Sequence, residues 1–146
     1  MKKLIKNTVL SCVAALVSTV LLPSITFAES VSVVVSAKSS VDSLTENDVK
    51  RIFLAKRDDF PNGDPAIPLD QEEGSSAFEA FYRNVVKKSS DQLQAYRSRL
   101  VFTGKGQPPK QMAANEIEKL VAQNPSVIGY ITGDVTSAGV KVVFKK

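Results

Sequence analysis

The sequence predicts a small α/β domain in which a mixed, mostly parallel sheet is flanked by helices. Short β-branched runs alternate along the chain with segments whose apolar residues recur every three or four positions, the pattern of strands alternating with amphipathic helices. The length of 146 residues suits one globular domain. The low counts of 7 glycines and 7 prolines exclude collagen-like and low-complexity classes.

The first 28 residues have the pattern of a secretory signal peptide. Three lysines among the first six residues precede an apolar run from Val9 to Leu22, and small residues at positions 26 and 28 come before Glu29. We therefore expect a cleaved signal peptide over 1–28 and a mature domain over 29–146, with no membrane contact after cleavage. An uncleaved membrane anchor and a lipoprotein site at Cys12 are the alternatives.

Removal of this segment changes the net charge of the chain and the types of reactive side chain that it retains. It holds three of the 19 basic residues and none of the 15 acidic ones, so the net charge falls from +4 to +1, which gives no reason to expect a nucleic-acid partner. It also holds the only cysteine, and the chain has no histidine. These counts exclude an intrachain disulfide and histidine-based catalysis or metal binding. No nucleophile has a base partner in a known motif, so we expect no enzyme, metal or cofactor.

The first strand and the first helix have clear local patterns. The β-branched run Val31–Val35 predicts a buried strand. Thr45, with Asp48 three residues later, predicts the start of a helix in a capping-box pattern. The apolar face of this helix consists of Val49, Ile52 and Phe53.

A strand and a second helix follow a segment rich in turn residues. Ala66–Leu69 predicts a short strand, and Pro68 places it at a sheet edge or at a strand end. Ser76 and Glu79 predict a capping box at the start of the helix. Its inner face has helical spacing and consists of Phe78, Phe81, Tyr82, Val85 and Val86.

The last third of the chain predicts two more helices and two strands. One helix begins near Ser89 and runs toward Val101, with Leu93, Tyr96 and Leu100 on its inner face. Another spans Met112–Gln123, with Ile117, Leu120 and Val121 inward, before Asn124-Pro125 ends it. The predicted strands are Val127–Ile131 and Val140–Phe144.

The run Gly74-Ser75-Ser76 is a candidate anion site between a predicted strand and a predicted helix. The first N–H groups of a helix have no partner within the helix, and the helix dipole places partial positive charge there. The alternative is that Ser75 or Ser76 only caps the helix, which requires no ligand. Glu72 and Glu73 precede the run and weaken the case for an anion, because they place negative charge beside it.

Other polar residues have simpler interpretations. The loop around Lys105 contains two glycines but lacks the spacing of a phosphate-binding loop, so a plain loop is favoured, and Lys105 is a candidate helper for an anion. Arg97 and Arg99 are expected to complement the dipole at the end of their helix. The three tyrosines are expected at the edge of the core.

Several segments together resemble the periplasmic phosphate-binding proteins of phosphate ABC transporters. The most telling are Leu44–Lys56 and Asn124–Ile131; Ile67–Gln71, Gly74-Ser75 and Phe102–Gly106 also match. The matching segments span nearly all of residues 31–144 but correspond to one lobe, mainly the second, of a family whose members have two. The resemblance therefore implies an α/β fold like one lobe of a periplasmic binding protein.

The resemblance also implies which residues contact the ligand. In the family an arginine stands four residues before a Ser-Gly-Thr run at a helix start, and these groups bind phosphate. Here Gln71 stands at the arginine position, Ser75 at the serine, Ser76 at the glycine and Ala77 at the threonine. The implied ligand contacts are Gln71, Gly74, Ser75 and Ser76, with Lys105 as a helper. Without the arginine, phosphate or another small oxyanion is expected to bind weakly.

Two functions remain open at this point. The first is an exported, non-enzymatic, solute-binding protein of the periplasm, linked to phosphate uptake and partnered by an ABC permease or another envelope protein. The second is an envelope protein-interaction module that kept the fold and lost the ligand. The replacement of the family's arginine, glycine and threonine favours the second.

Overall fold

The computed structural model describes residues 29–146, and the predicted signal peptide over 1–28 lies outside the described residues. The described part contains five strands, four α-helices and one π-helical segment. In chain order they are β1 (Val31–Ser36), α1 (Glu46–Phe53), β2 (Ile67–Gln71), α2 (Ser76–Phe81), the π-helical segment (Tyr82–Val86), α3 (Ser90–Phe102), β3 (Lys110–Met112), α4 (Ala114–Gln123), β4 (Val127–Thr132) and β5 (Val140–Lys145).

The five strands form one mixed sheet in the order β3-β2-β4-β1-β5. β2 pairs in parallel with β3 and β4, whereas β1 pairs antiparallel with β4 and β5. The predicted small α/β domain with a mixed sheet is confirmed, with parallel and antiparallel pairs more evenly divided than the sequence indicated. An apolar run buried on both faces has the same pattern in either direction, so strand direction was not readable from the sequence.

The helices cover both faces of the sheet and create two apolar clusters. Val33 and Val35 of β1 pack on the side of α1, α2, the π-helical segment and α3. Val34 packs on the opposite side, against Ile117 and Val121 of α4. β1 is buried at all six positions because both of its faces are covered, which agrees with the valine-rich sequence of the strand.

Helix starts follow the predicted capping patterns in two cases and differ in one. Thr45 caps α1 and Ser89 caps α3, each in a complete capping box. For α2 the cap is Ser75, whose side chain accepts a hydrogen bond from the Phe78 N–H, so the predicted box of Ser76 and Glu79 is wrong by one residue. All five apolar residues predicted for this helix are nevertheless buried.

The way in which β2 pairs with its two neighbours explains why the sheet accommodates a proline. Pro68 pairs with Ile128 of β4, while pairing with β3 begins only at Leu69. Pro68 therefore lies near the beginning of an interior strand, before the second neighbour requires its missing N–H. Of the two predicted positions, the strand end is the observed one.

The start of α4 differs from the prediction. Met112 ends the short strand β3, and α4 begins only at Ala114. Leu120, predicted to face inward, is 36% exposed, whereas Ile117 and Val121 are fully buried. α4 covers its face of the sheet with residues four apart, which leaves Leu120 outside the contact.

No helix within residues 29–146 is long and apolar enough to cross a membrane.

The close approach of α4 to the sheet yields a test of this packing. A Cβ on Gly129 of β4 would lie 2.5 Å from Cγ2 of Ile117. We expect Gly129→Ala to lower the free energy of unfolding by about 1–3 kcal/mol, because a core packed this closely has no room for another carbon. Urea unfolding measures the loss.

A double-mutant cycle supplies the control. Ile117→Ala removes the clashing methyl group, so its cost in the Gly129→Ala background should be smaller than in the original chain. Two losses that simply add would show that the two residues are not in contact.

Candidate functional site

The turn between β2 and α2 brings together three of the residues singled out in the sequence. Gly74 has a φ of +85°, a conformation that glycine adopts without steric cost. Ser75 donates its N–H to the Glu72 carbonyl at 3.1 Å, which closes the turn. The Ser75 hydroxyl accepts the Phe78 N–H at 3.2 Å, and Ser76 follows as the first residue of α2. Gly74, Ser75 and Ser76 therefore form one continuous turn at the helix start.

Several donors of this turn are left for another acceptor. Within the described part of the chain, the N–H groups of Ser76 and Ala77 make no hydrogen bond. The Ser75 oxygen is already an acceptor, but its hydroxyl hydrogen remains able to donate. Ser76 is exposed and Ser75 is half-buried, so a small acceptor can approach from solvent.

Gln71 lies at the end of β2, but its side chain is directed into the protein. It is 6% exposed, and its Nε2 donates to the Tyr130 carbonyl at 2.9 Å. Its N–H lies within hydrogen-bond distance of the Asp70 carboxylate and of the Tyr130 hydroxyl. Gln71 therefore joins β2 to β4, and the structure does not bring its amide to the surface of the turn.

Lys105 lies in a different part of the molecule from the turn. It is exposed after α3 and lines a cleft that also involves Ala66 and Pro68, near the start of β2. None of the other four predicted contact residues lines that cleft. At about 3.3 Å per residue, Pro68 and Gln71 are about 10 Å apart along the strand, so Lys105 is not grouped with the turn.

A buried polar cluster around Asp70 escaped the sequence analysis. Asp70 lies in β2 and is fully buried. The hydroxyls of Tyr82, at 2.7 Å, and of Tyr130 donate to its carboxylate. Arg97 of α3 donates from Nη2 to the same carboxylate and to the Tyr82 oxygen, the latter at 2.9 Å. The cluster thus joins the sheet to two helical elements by hydrogen bonds.

The protonation states in this cluster follow from burial and proximity. Burial raises the pKa of Asp70, while hydrogen bonds from Tyr130, Tyr82 and Arg97 oppose that rise. Burial, with Asp70 beside them, raises the pKa of both Tyr82 and Tyr130, which keeps both phenols protonated as donors. Burial alone would lower the pKa of Arg97, but Tyr82 and Asp70 raise it above its ordinary value.

Arg97 therefore has a different role from the one predicted. Instead of complementing the helix dipole, it pairs with Asp70, and its guanidinium carbon lies 5.4 Å and 5.2 Å from the ring centroids of Phe78 and Tyr82. A signal for this was present, because Arg97 falls four residues after the buried Leu93 and three before the buried Leu100. A charged residue on an apolar stripe indicates a buried partner.

The tyrosines are more deeply placed than the expected core edge. Tyr82 and Tyr130 are almost completely buried, and the ring of Tyr130 stacks on Phe81 with centroids 3.9 Å apart. Tyr96 is half-buried and donates its hydroxyl to the Leu54 carbonyl at 2.7 Å.

Over residues 29–146, no three acidic side chains converge in a group suited to a metal ion.

Comparison with known structures finds proteins that share this fold. The chain is similar to a phosphate ABC transporter substrate-binding protein with bound phosphate from Clostridium perfringens, with a TM-score of 0.59 and 20% identity over 80% of this chain and 45% of that one. It is also similar to an ABC-type phosphate transport receptor from Vibrio cholerae, with a TM-score of 0.60 and 16% identity over 80% and 46%. For PstS from Borrelia burgdorferi the TM-score is 0.51, with 15% identity over 71% and 40%.

These likenesses establish the fold of one lobe. The chain spans less than half the length of each of these proteins. No family model matches the sequence, and no curated protein matches it.

The Asp70 cluster yields a stability prediction. Arg97→Met keeps the apolar stem of the side chain and leaves the buried carboxylate without its cation. We expect the free energy of unfolding to fall by about 3–5 kcal/mol, the range for removing one partner of a buried ion pair. Chemical denaturation measures the loss.

The matched control is Arg99→Met, an exposed position on the same helix. It should change stability by no more than about 0.5 kcal/mol. Adding Asp70→Asn to Arg97→Met should recover part of the loss, since it removes the unpaired charge. Equal effects of the two arginine variants would contradict the role assigned to Arg97.

Proposed function

We propose that this chain is an exported, non-enzymatic binding protein whose Gly74–Ser76 turn holds phosphate or a related small oxyanion weakly, in the service of phosphate uptake. The observation that carries the proposal is the set of free donors at the turn: the N–H groups of Ser76 and Ala77, and the Ser75 hydroxyl. Backbone donors at a helix start are a common means of holding an oxyanion. The likeness to phosphate-binding structures supports the choice of ligand.

The charges around the turn support a low affinity. Arginine donors are absent at position 71, and the Gln71 amide already donates to Tyr130. Each charge-assisted hydrogen bond contributes about 1.5–3 kcal/mol and each neutral one about 1 kcal/mol, and 1.4 kcal/mol corresponds to a tenfold change in affinity. Exposed Glu72 and Glu73 repel an anion further. We therefore expect a dissociation constant of about 1 mM or weaker.

A second protein surface that covers the anion at the turn would raise the affinity of the site. This chain covers less than half the length of the similar structures, and the resemblance to a two-lobed family implies that the anion there is covered from both sides. We propose that a partner, an ABC permease or another envelope protein, covers the turn here. Location in the periplasm rests on the predicted signal peptide and on the resemblance.

The second candidate function is an envelope protein-interaction module that has lost the ligand. The inward direction of the Gln71 side chain favours it, because the residue at the arginine position now serves the core. The two candidates differ in whether the isolated protein responds to phosphate.

Thermal unfolding in phosphate tests the first candidate. Inorganic phosphate should raise the melting temperature above that in sodium chloride of equal ionic strength, and a ligand at about 100 times its dissociation constant adds about 2.7 kcal/mol. Ser75→Ala should abolish the phosphate-specific rise, because it removes a donor and disturbs the turn.

Ser89→Ala is the matched control for this experiment. Ser89 caps α3 as Ser75 caps α2, so both variants lose a helix cap worth about 1 kcal/mol. Only Ser75→Ala should also lose the response to phosphate. The absence of a phosphate-specific rise in the original chain would favour the interaction module.

Charge removal at the turn provides a gain-of-binding test. The double variant Glu72→Gln, Glu73→Gln should bind phosphate about fivefold more tightly, since each exposed charge near an anion is worth about 0.5 kcal/mol. Titration followed by nuclear magnetic resonance of the Ser76 amide measures the affinity. Glu116→Gln, on the opposite face of the sheet, should leave it unchanged, and an equal gain there would indicate a general charge effect.

A further inference from the structure

The end of α3 presents large apolar side chains to solvent. Phe102, the last residue of the helix, is 95% exposed, and Val101 beside it is 59% exposed. Leu93 and Leu100 are the residues that α3 buries. Phe102 therefore contributes almost nothing to the core, and its exposure has no explanation within the domain.

The turn after Phe102 is held in a defined position. The Gly104 N–H donates to the Val101 carbonyl at 3.1 Å, and Gly104 has a φ of +65°. At Gly106 the chain approaches α3 and the end of α1 so closely that a Cβ would lie 3.3 Å from Leu100 and 3.4 Å from Ala55. The apolar tip is thus presented from a packed turn rather than from a loose loop.

A concave cleft adjoins this turn. Its volume is about 420 Å³, and its lining includes Lys56, Lys105 and Gln107. Arg57 also lines it but is already paired with Asp59 at 2.8 Å, while Asp58 is the acidic residue of the lining. Lys56 and Lys105 make no ion pair within residues 29–146, so both ammonium groups are available to an external carboxylate.

Positive charge predominates in the segment of the chain that carries this turn. Between Asp91 and Glu116 the sequence has four basic residues and no acidic one. Arg97 is neutralised by Asp70; the remaining three, Arg99, Lys105 and Lys110, are exposed. The net charge of residues 29–146 is close to zero. The excess of basic residues in this segment is therefore local and is balanced by acidic residues elsewhere in the chain.

We propose that the face formed by Val101, Phe102, Lys105 and the adjoining cleft with Lys56 docks an acidic segment of a partner protein. An apolar side chain of the segment packs on Phe102, and its carboxylates pair with the two lysines. An exposed aromatic residue three positions before Lys105, beside a cleft that Lys105 and Lys56 line, fits an acidic, partly apolar surface. The neighbouring recess favours a protein, because a lipid surface is flat on this scale and leaves a cleft unfilled.

This inference is independent of oxyanion binding. The docking face includes none of the residues of the Gly74–Ser76 turn. Loss of phosphate binding in Ser75→Ala should therefore leave docking intact, and failure of one proposal does not entail failure of the other.

Peptide selection on the exported chain tests the docking face. The probe is a phage-displayed library of random peptides, selected against the protein expressed with its own leader and purified after export. We expect enriched peptides to combine several Asp or Glu residues with an apolar residue and to bind more weakly as salt is raised. Phe102→Ser and Lys105→Glu should each weaken a selected peptide about tenfold.

Val142→Ser is the matched control, since Val142 is an exposed apolar residue, 40% accessible, on β5. It should leave peptide affinity unchanged, and thermal unfolding should show that Phe102→Ser is folded. Enriched peptides without acidic residues, or equal binding by the Phe102 and Val142 variants, would overturn the proposal. So would Phe102-dependent binding to vesicles of anionic phospholipid, or Phe102-dependent dimerisation in sedimentation, because either result assigns the face to another occupant.

Discussion

The buried carboxylate of Asp70 is the group on which the packing of this domain depends. A carboxylate with no solvent contact is tolerated only where donors surround it. Those donors come from three separate elements: Tyr130 in β4, Tyr82 in the π-helical segment and Arg97 in α3. Each element must lie where its donor reaches Asp70, so one side chain fixes the sheet, the helical layer and α3 relative to one another. The same strand then continues into the Gly74 turn, whose position is set by this anchorage.

The π-helical segment is consistent with that constraint. Phe81 must stack on Tyr130, while the next residue, Tyr82, must direct its hydroxyl to Asp70. The wider hydrogen-bonding turn of a π-helix changes the direction in which successive side chains leave the backbone, and such segments often occur where a particular side-chain placement is required. Both Val85 and Val86 remain buried in the same segment. The helix therefore departs from regular geometry where two adjacent aromatic residues have different partners.

The sequence was sufficient at two helix starts, where the structure is determined locally. The caps at Thr45 and Ser89 depend on residues within a few positions of one another and were predicted correctly, whereas the cap of α2 was predicted one residue late, at Ser76 instead of Ser75. What escaped depends on distant partners. β3 is a polar, three-residue strand that exists because β2 lies beside it, and the direction of each strand is set by the crossovers. The inward course of the Gln71 side chain, like the pairing of Arg97 with Asp70, is decided by residues 27 or more positions away.

The two proposed binding surfaces lie near opposite ends of β2, and this separation limits what any partner can do. The cleft beside Phe102 is lined by Ala66 and Pro68, at the start of the strand, whereas the oxyanion turn follows its end. The strand between them is about 15 Å long at 3.3 Å per residue. A short acidic segment that packs on Phe102 therefore does not also cover the turn. Covering both the docking face and the turn requires either one partner long enough to reach from one to the other or two separate partners. With two separate partners, an acidic segment at the docking face and an oxyanion at the turn would bind without competing.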